Sequence, residues 1–510
     1  MPGKNRAREP LSGMDAAMID LETPTNLMVI NAVMILAVPL ALDDLKAVIR
    51  DRLMPVRRFR QRVVRIRGRR PALFWEDDPA FDVDNHVRRI ALSGSPFPAE
   101  ADKQAQRALR DLVSELASIP LDLSRPPWEF YLIDGVGQGA ALICRVHHSI
   151  ADGAALVGVL LSITDSEPLP APMSPAAKSK PMCPGGDLVS GTPRWRPVRW
   201  LLRRGLSVAA HPSHFVRAIG SGWRVASTMG DLVLEPPDSP TAFKGRVGLA
   251  KQLAWSDPIP LEQVKAIGRS LGGTVNDTLL AAVSGALRRY LEGRGECAEG
   301  IALHAAVPVS LRGNGAHIDT SAGSTSEPAL ALGNRVGTVF VPLPVTVVDP
   351  ARRLRAVKRA MDRLKESYQA PATFLAIQAL ALASSSVKQC FVTLLGGRAT
   401  AIMTNVVGPK ERRYLAGAPI EALLFWVPKT GGLALGVSIL SYAGQVRLGV
   451  ITDAGLVPDP EAIVSAFEAE FDDLLAVARE IEEMPTVGQM SAMLDDALAT
   501  LDALIKSRSR

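Results

Sequence analysis

The sequence has few cysteines, and their positions exclude several kinds of site. It contains four, Cys144, Cys183, Cys297 and Cys390, scattered over 510 residues. They lack the paired spacing of a disulfide framework or a zinc site, so we interpret them as free thiols in a reducing compartment. A G-x-S-x-G segment is also missing, which disfavours a serine-hydrolase triad.

The sequence also lacks a long uninterrupted apolar run. The longest, residues 27–42, contains Asn31 and Pro39 and falls short of the roughly 20 apolar residues that span a bilayer. Near the N-terminus, acidic residues such as Asp15 and Asp20 interrupt any stretch suited to a signal peptide. We therefore predict a buried strand or two at 27–42 and no membrane-spanning segment.

The charged residues do not point to a nucleic-acid partner. The net charge is +6, with 22% charged and 47% hydrophobic residues, which is typical of a globular protein. No run of basic residues interleaved with aromatics indicates a nucleic-acid platform, so no nucleic-acid partner is predicted. A chain of this length favours two domains.

One segment has charge of a single sign. Residues 188–230 contain no Asp or Glu but several arginines and three tryptophans. Two interpretations stay open: a basic helix in a membrane interface, with Arg199, Arg203 and Arg204 facing anionic lipid, or a solvated linker helix packed on the body.

Apolar periodicity predicts alternating strands and helices. Residues 140–146 read as a buried strand and residues 154–163 as the helix after it. Residues 261–270 and 275–291 have helical spacing. Strand-like runs follow at 301–309, 336–341, 399–405, 434–441 and 445–452, and a helical pattern at 463–478.

This pattern predicts an α/β (α+β two-layer) protein with two lobes. We place an N-terminal domain at 1–165, a linker at 166–240 and a C-terminal domain at 241–510. The linker assignment rests on a stretch rich in Pro, Ala, Ser and Gly that begins near residue 167.

The most informative local feature is HHSIADG at 147–153, where a strand runs into a loop. Imidazole has an unperturbed pKa near neutrality, so a positioned histidine suits general-base catalysis, although structural histidines are the competing explanation. Adjacent residues on a strand face opposite sides, which disfavours joint zinc binding. For the same reason one of His147 and His148 would face a site while the other orients the loop.

The heptad H-H-x-x-x-D-G resembles the signature of the CoA-dependent acyltransferase superfamily. Further segments in order narrow the resemblance to the bacterial wax ester synthase/diacylglycerol acyltransferase family. This sequence has Pro127 where the family usually has leucine and Val407 for a usual proline, which bears on pocket shape. The matching segments are LSGMD at 11–15, ETPTN at 22–26, RFRQR at 58–62, FDV at 81–83, HV at 86–87, PLD at 120–122, PPWE at 126–129, TVND at 274–277, VPVSLR at 307–312, GNR at 333–335 and TNVVGP at 404–409.

The resemblance implies two chloramphenicol-acetyltransferase-like domains with an active-site tunnel at their interface. It implies that His148 takes a proton from an acceptor hydroxyl, without a metal, a cofactor or an acyl-enzyme. Acyl-CoA would be the co-substrate, and the acceptor diacylglycerol, giving triacylglycerol, or a long-chain alcohol, giving a wax ester. Asp152, in the turn with Gly153, would be a structural anchor that pairs with an arginine.

The TVND segment leaves two explanations open. Thr274 followed by Asp277 before an apolar helix resembles a helix cap, so Asp277 is either a capping residue or a site residue. Asn276 is either a donor to the reacting oxygen or part of the same turn.

Because such acceptors dissolve in lipid, we expect a cytoplasmic protein attached peripherally to the inner face of the membrane or to lipid bodies. Two alternatives remain: a membrane or lipid-droplet binding protein of this fold without turnover, and an acyltransferase with another acceptor or a carrier-protein donor.

Overall fold

The structure is a computed structural model. It describes residues 8–66, 72–92, 98–150, 153–168, 227, 230, 234–310, 336–365, 367, 369, 372–373, 375–376, 385–483, 490–491 and 494–501.

Helices and strands alternate along the described chain. The helices are α1 (Gly13–Leu21), α2 (Leu42–Arg52), α3 (Pro98–Ala117), α4 (Gly153–Ser162), α5 (Leu261–Leu271), α6 (Val275–Gly293), α7 (Pro350–Lys365), α8 (Ser385–Gly396) and α9 (Pro460–Glu483), with short 3₁₀ helices at Arg57–Arg60 and Val83–Asn85. The strands are β1 (Arg8–Pro10), β2 (Val29–Leu36), β3 (Gln61–Ile66), β4 (Ala72–Asp77), β5 (Val87–Ala91), β6 (Trp128–Val136), β7 (Gly139–His147), β8 (Lys251–Trp255), β9 (Ile259–Pro260), β10 (Leu303–Ser310), β11 (Val336–Leu343), β12 (Ala401–Val407), β13 (Tyr414–Leu415), β14 (Ala418–Trp426), β15 (Leu435–Tyr442) and β16 (Gln445–Asp453).

Two large sheets form the centres of the two lobes. The first has the order β13-β14-β2-β7-β6-β5, and the second β11-β10-β12-β15-β16-β8, with β9 beside β16. A small third sheet has the order β1-β4-β3. The two-lobed α/β fold and its strand at 140–146 are as the sequence predicts. Residues 27–42, predicted to form a buried strand or two, form the single strand β2 and the start of α2.

One hairpin crosses between the lobes. β14 belongs to the C-terminal half of the sequence but pairs antiparallel with β2 of the first sheet, from Ile420 opposite Leu36 to Trp426 opposite Asn31. The indole of Trp426 lies 5.7 Å from that of Trp255 on β8, measured between ring centroids. The first sheet is thereby joined to the second lobe, and it contains strands from both sides of residue 241 in the sequence.

The centre of each lobe is apolar, and the layers explain which faces are buried. In the second lobe α5, α6, α7 and α9 cover one face of the sheet. In the first lobe the sheet is covered on both faces, one of which packs against α3 and against β8 and β16. Every residue of β7 is buried, consistent with a continuous apolar run in a central strand. Among the described helices, none combines the length and apolar character needed to cross a bilayer.

A short turn positions α6. α5 ends at Gly272, whose positive φ of 75° is the left-handed conformation common after a helix. Two residues later Thr274 caps α6: its hydroxyl accepts the Asp277 N–H, and the Asp277 carboxylate accepts the Thr274 N–H at 2.9 Å. This capping box is the local explanation that the sequence offered for Asp277.

Candidate active site

The histidine segment lies where β7 leaves the first sheet. His147 is the last residue of β7 and pairs with Val29 of β2. The next N–H, that of His148, donates to the Met28 carbonyl at 2.7 Å. α4 then begins at Gly153, so the predicted order of strand, loop and helix is present.

His147 is fully buried and held at both ring nitrogens. Its Nδ1 accepts the Ser149 backbone N–H at 3.1 Å and lies 2.8 Å from Ser149 Oγ. Its Nε2 lies 3.1 Å from Glu22 Oε2. Since Nδ1 accepts a backbone N–H, we assign the neutral ring's proton to Nε2, which donates it to Glu22. His147 is therefore engaged with the protein rather than with a substrate.

Glu22 connects this histidine to the neighbouring strand. The same Oε2 accepts the Met28 N–H at 2.7 Å, and the Met28 carbonyl in turn accepts the His148 N–H. Glu22 follows α1 directly and its side chain is 14% exposed. One carboxylate thus fixes both the orientation of His147 and the backbone beside His148.

His148 faces the opposite way and lines a cavity of about 230 Å³. Both lobes contribute to the wall, as the predicted tunnel at their interface requires, and most of the lining is apolar. Among the described residues of this wall, the polar side chains apart from His148 belong to Thr338, Thr373, Lys388, Thr404 and Thr430. The apolar residues of the wall include Met14, Ala17, Met18 and Leu21 from α1, and Phe391, Val392 and Leu395 from α8.

Asn276 lies beside the strand that reaches the cavity. The Asn405 side-chain amide donates to Asn276 Oδ1 at 3.3 Å, which joins the start of α6 to β12. Thr404, the preceding residue, lines the cavity, and its buried hydroxyl has no hydrogen-bond partner within the described chain. Asp277 is 1% exposed and engaged with Thr274. Among these residues, Thr404 is the one that forms part of the cavity wall.

Two parts of the predicted site lie outside the described residues. Asp152 is one of them, so its expected arginine partner stays a prediction, whereas Gly153 is described as the first residue of α4. The basic segment with Arg199, Arg203 and Arg204 is the other.

Trp128 and Glu129 lie on β6, beside the strand that ends at His147. The Trp128 indole N–H donates to the Phe59 carbonyl at 2.9 Å, and its ring stacks on His86 at 4.6 Å between centroids. Glu129 accepts from the buried Arg145 at 2.9 Å. Burial lowers the pKa of the Arg145 guanidinium, and the charge of Glu129 opposes that shift.

Sequence reasoning did not identify two interactions at the cavity. One is the Glu22–His147 contact, although Glu22 was part of a matched segment. The other is an ion pair in which Lys388 Nζ lies 3.0 Å from Asp20 Oδ2. Lys388 is the one charged residue of α8, which is a sequence signal for the second, but its partner lies 368 residues away in sequence.

Comparison with known proteins identifies the family. The model of the wax ester synthase/diacylglycerol acyltransferase catalytic domain matches residues 11–279, more than half of the chain, and the model of the family's C-terminal domain matches residues 332–475. A Mycobacterium tuberculosis relative, provisionally named a diacylglycerol O-acyltransferase, is 29% identical over 448 residues, covering 84% of this chain and 88% of its own. A second relative from that organism, with the same provisional name, is 25% identical over 486 residues, covering 92% and 90%.

Solved structures show the same fold. The wax ester synthase/diacylglycerol acyltransferase from Marinobacter aquaeolei VT8 superposes with a TM-score of 0.63 at 22% identity, covering 92% of this chain and 99% of that one. The first condensation domain of the calcium-dependent antibiotic synthetase gives 0.52 at 16% identity, covering 94% and 99%. The family and the fold expected from the sequence are confirmed: this chain belongs to the wax ester synthase/diacylglycerol acyltransferase family.

Proposed function

We propose that this protein is an O-acyltransferase that moves a long-chain acyl group from acyl-CoA to the hydroxyl of diacylglycerol, of a long-chain alcohol, or of both. The observation that carries the proposal is the position of His148, on the wall of a mostly apolar cavity between the lobes. An apolar wall suits acyl chains, and a single imidazole there suits proton transfer.

The proposed reaction is direct transfer. The His148 imidazole takes the proton of the acceptor hydroxyl as its oxygen attacks the thioester carbonyl. A tetrahedral oxyanion forms, its C–S bond breaks, and the leaving CoA sulfur takes the proton back from the imidazolium. General-base assistance contributes about 10²–10⁴-fold, or roughly 3–5 kcal/mol. The step consumes no cofactor or metal, and acyl-CoA enters as co-substrate.

Nearby polar groups supply a place for the oxyanion. The buried Thr404 hydroxyl at the cavity can donate to it, and buried donors gain most from a partner when they have none in the protein. The Asn276 amide, whose oxygen accepts from Asn405, is a second donor at the edge of this region. We assign Asp277 to the capping of α6 and Asp152 to anchoring the histidine loop.

The acceptor experiment tests the activity. Purified protein is incubated with radiolabelled palmitoyl-CoA and either dioleoylglycerol or hexadecanol, and neutral lipids are separated by thin-layer chromatography. We expect labelled triacylglycerol, with or without labelled wax ester. If neither product forms, while a carrier-protein thioester or another acceptor supports transfer, the donor and acceptor assignments are wrong.

We further propose that the protein works peripherally at a lipid surface, the inner face of the cell membrane or a lipid body. α8 forms a cavity wall on one side. On its outer side Val387 is 51% and Leu394 42% exposed and Cys390 is also exposed, although Gln389 and Thr393 are exposed there too. Residues three and seven positions apart share a helix face, so Val387, Cys390 and Leu394 form one stripe. A lipid surface in contact with this stripe would lie next to the cavity that takes the acceptor.

Liposome flotation tests the attachment. The double change Val387→Asp and Leu394→Asp is expected to weaken binding, whereas Val348→Asp, at a 69% exposed valine outside α8, serves as the matched control. Charge reversal at Arg199, Arg203 and Arg204 is expected to weaken binding most at low salt. If the α8 double variant and the arginine variants both float as well as the unchanged protein, the proposed attachment through α8 and through these arginines is wrong. A lipid-binding protein without turnover would instead float and yield no labelled product.

A further inference from the structure

We propose that Lys388 determines acceptor specificity by donating a hydrogen bond to an ester carbonyl oxygen of a glycerolipid, so that the site favours diacylglycerol over a linear alcohol. This inference rests on the proposed acyl transfer and names the acceptor class that the cavity recognises.

Lys388 is the charged side chain among the described residues that line the cavity, apart from any charge on His148 itself. It lies on α8 and is 6% exposed, with Phe391 and Leu395 following on the same helix and lining the same wall. An ammonium group in such surroundings is costly unless it is paired and hydrogen-bonded. In a cavity otherwise suited to hydrocarbon, the Lys388 ammonium therefore needs an ion-pair partner and hydrogen-bond acceptors.

The ion pair with Asp20 fixes the ammonium in place. Lys388 Nζ lies 3.0 Å from Asp20 Oδ2, and Asp20 Oδ1 also accepts from Arg65 at 3.2 Å. Asp20 belongs to α1, which faces α8 across the cavity wall and contributes its own apolar residues to the lining. The ammonium is thus held by one lobe against a helix of the other.

One bond to Asp20 leaves donor capacity. A lysine ammonium has three N–H donors, and within the described chain Lys388 donates one hydrogen bond, to Asp20. Buried donors are generally satisfied, so the remaining N–H groups favour an oxygen acceptor brought in by a ligand. A charged donor also forms stronger hydrogen bonds than a neutral one.

The two acceptors differ in the oxygen that they offer. Diacylglycerol carries two ester carbonyls within a few bonds of its reacting hydroxyl. A linear alcohol has a single oxygen, the one whose proton His148 takes. A carbonyl bound by Lys388 would therefore help to place the diacylglycerol hydroxyl and could not act on hexadecanol. The thioester carbonyl of acyl-CoA is the other carbonyl source, and it would affect both acceptors equally.

The test compares the two acceptors in one pair of variants. Lys388→Met keeps an unbranched side chain that is shorter by the terminal nitrogen and removes the ammonium. Lys265→Met is the matched control, since Lys265 lies on the surface helix α5 with a 42% exposed side chain. For each protein, kcat/KM is measured with dioleoylglycerol and with hexadecanol, and KM is measured for palmitoyl-CoA.

Loss of one charged hydrogen bond predicts that the ratio of kcat/KM for dioleoylglycerol to that for hexadecanol falls about 10- to 100-fold in Lys388→Met. The ratio stays at the original value in Lys265→Met. If Lys388→Met does not fold because Asp20 keeps, among the described residues, Arg65 as its one ion-pair partner, the double variant Asp20→Asn with Lys388→Met removes both charges and should show the same fall in the ratio.

Equal losses with both acceptors, or a rise in KM for palmitoyl-CoA with an unchanged ratio, would overturn the inference and assign Lys388 to structure or to the acyl donor. Either result, with an active original protein, leaves the proposed acyl transfer intact. An original protein that acylates neither acceptor would overturn the proposed function itself, and the inference with it.

Discussion

Replacement of Glu22 by alanine should slow acyl transfer although Glu22 lies behind the cavity wall. Its Oε2 accepts from His147 Nε2 at 3.1 Å and from the Met28 N–H at 2.7 Å. The Met28 carbonyl holds the His148 N–H at 2.7 Å. Alanine removes the acceptor shared by two donors and loosens the backbone beside the proposed base.

The size of the effect follows from these two bonds. A hydrogen bond to a charged group contributes about 1.5–3 kcal/mol, and an orphaned buried donor costs a similar amount. If the loss of one such bond reaches the transition state, kcat for Glu22→Ala falls about 10- to 100-fold. Glu22→Gln keeps an oxygen acceptor without the charge, so its kcat should lie between that of Glu22→Ala and that of the original protein.

We would measure kcat of the Glu22 variants from steady-state acyl transfer with palmitoyl-CoA as donor. Thermal melting checks that each variant is folded. Because Glu22 acts through His147 and the neighbouring backbone, kcat should fall while KM for palmitoyl-CoA changes little. A folded Glu22→Ala protein with kcat within about twofold of the original would refute the positioning role, since one lost bond predicts at least about tenfold.

Three further predictions concern stability. Asp277→Ala removes the carboxylate of the α6 capping box and should cost about 0.5–2 kcal/mol, seen as a lower Tm; an unchanged Tm would argue against the cap. Gly285→Ala would place a Cβ 2.3 Å from the carboxyl of Glu470, a buried group bound by Arg353, and so should lower Tm sharply, whereas a neutral effect would mean that the ion pair shifts at no cost. Burial, and to a lesser degree the charge of Lys251, lowers the pKa of Lys429 far below that of an exposed lysine. The unfolded chain therefore binds more protons, and stability should rise by about 1.4 kcal/mol per pH unit between the two pKa values. This rise should be absent in Lys429→Met, so melts of the two proteins in the pH range just below the ordinary lysine pKa of about 10.4 should diverge in slope, and parallel curves would contradict the argument.

Local features of the fold could be predicted from the sequence. The Thr274–Asp277 spacing encodes a cap within four residues, and the structure forms it. The apolar run that became β7 and the helix after it depend on neighbours in sequence, and both are present. His148 could be placed opposite His147 because side chains alternate along a strand, and the two do face a cavity and a buried carboxylate respectively.

Long-range pairings were not predictable in this way. β14 joins the first sheet by pairing with β2, which lies nearly four hundred residues earlier in the sequence. A single sequence does not show which residues of two such distant strands lie opposite each other. Glu22 and His147 are 125 residues apart, and Asp20 and Lys388 are 368 apart. The Asp20–Lys388 contact depends on how the lobes close around the cavity, and the Glu22–His147 contact on how the segment after α1 packs against β7. Periodicity encodes neither arrangement.

The central claim is that His148 performs the proton transfer, and the direct measurement is acyl transfer by His148→Ala beside the original protein and His147→Gln. The initial rate of labelled neutral lipid formation from radiolabelled palmitoyl-CoA is followed with the better acceptor, and liposome flotation is recorded for each protein. We predict that His148→Ala loses about 10²–10⁴-fold in kcat while still folding and floating as the original protein does. A His148→Ala protein that transfers the acyl group within about tenfold of the original rate would contradict the account, since general-base assistance contributes more than that.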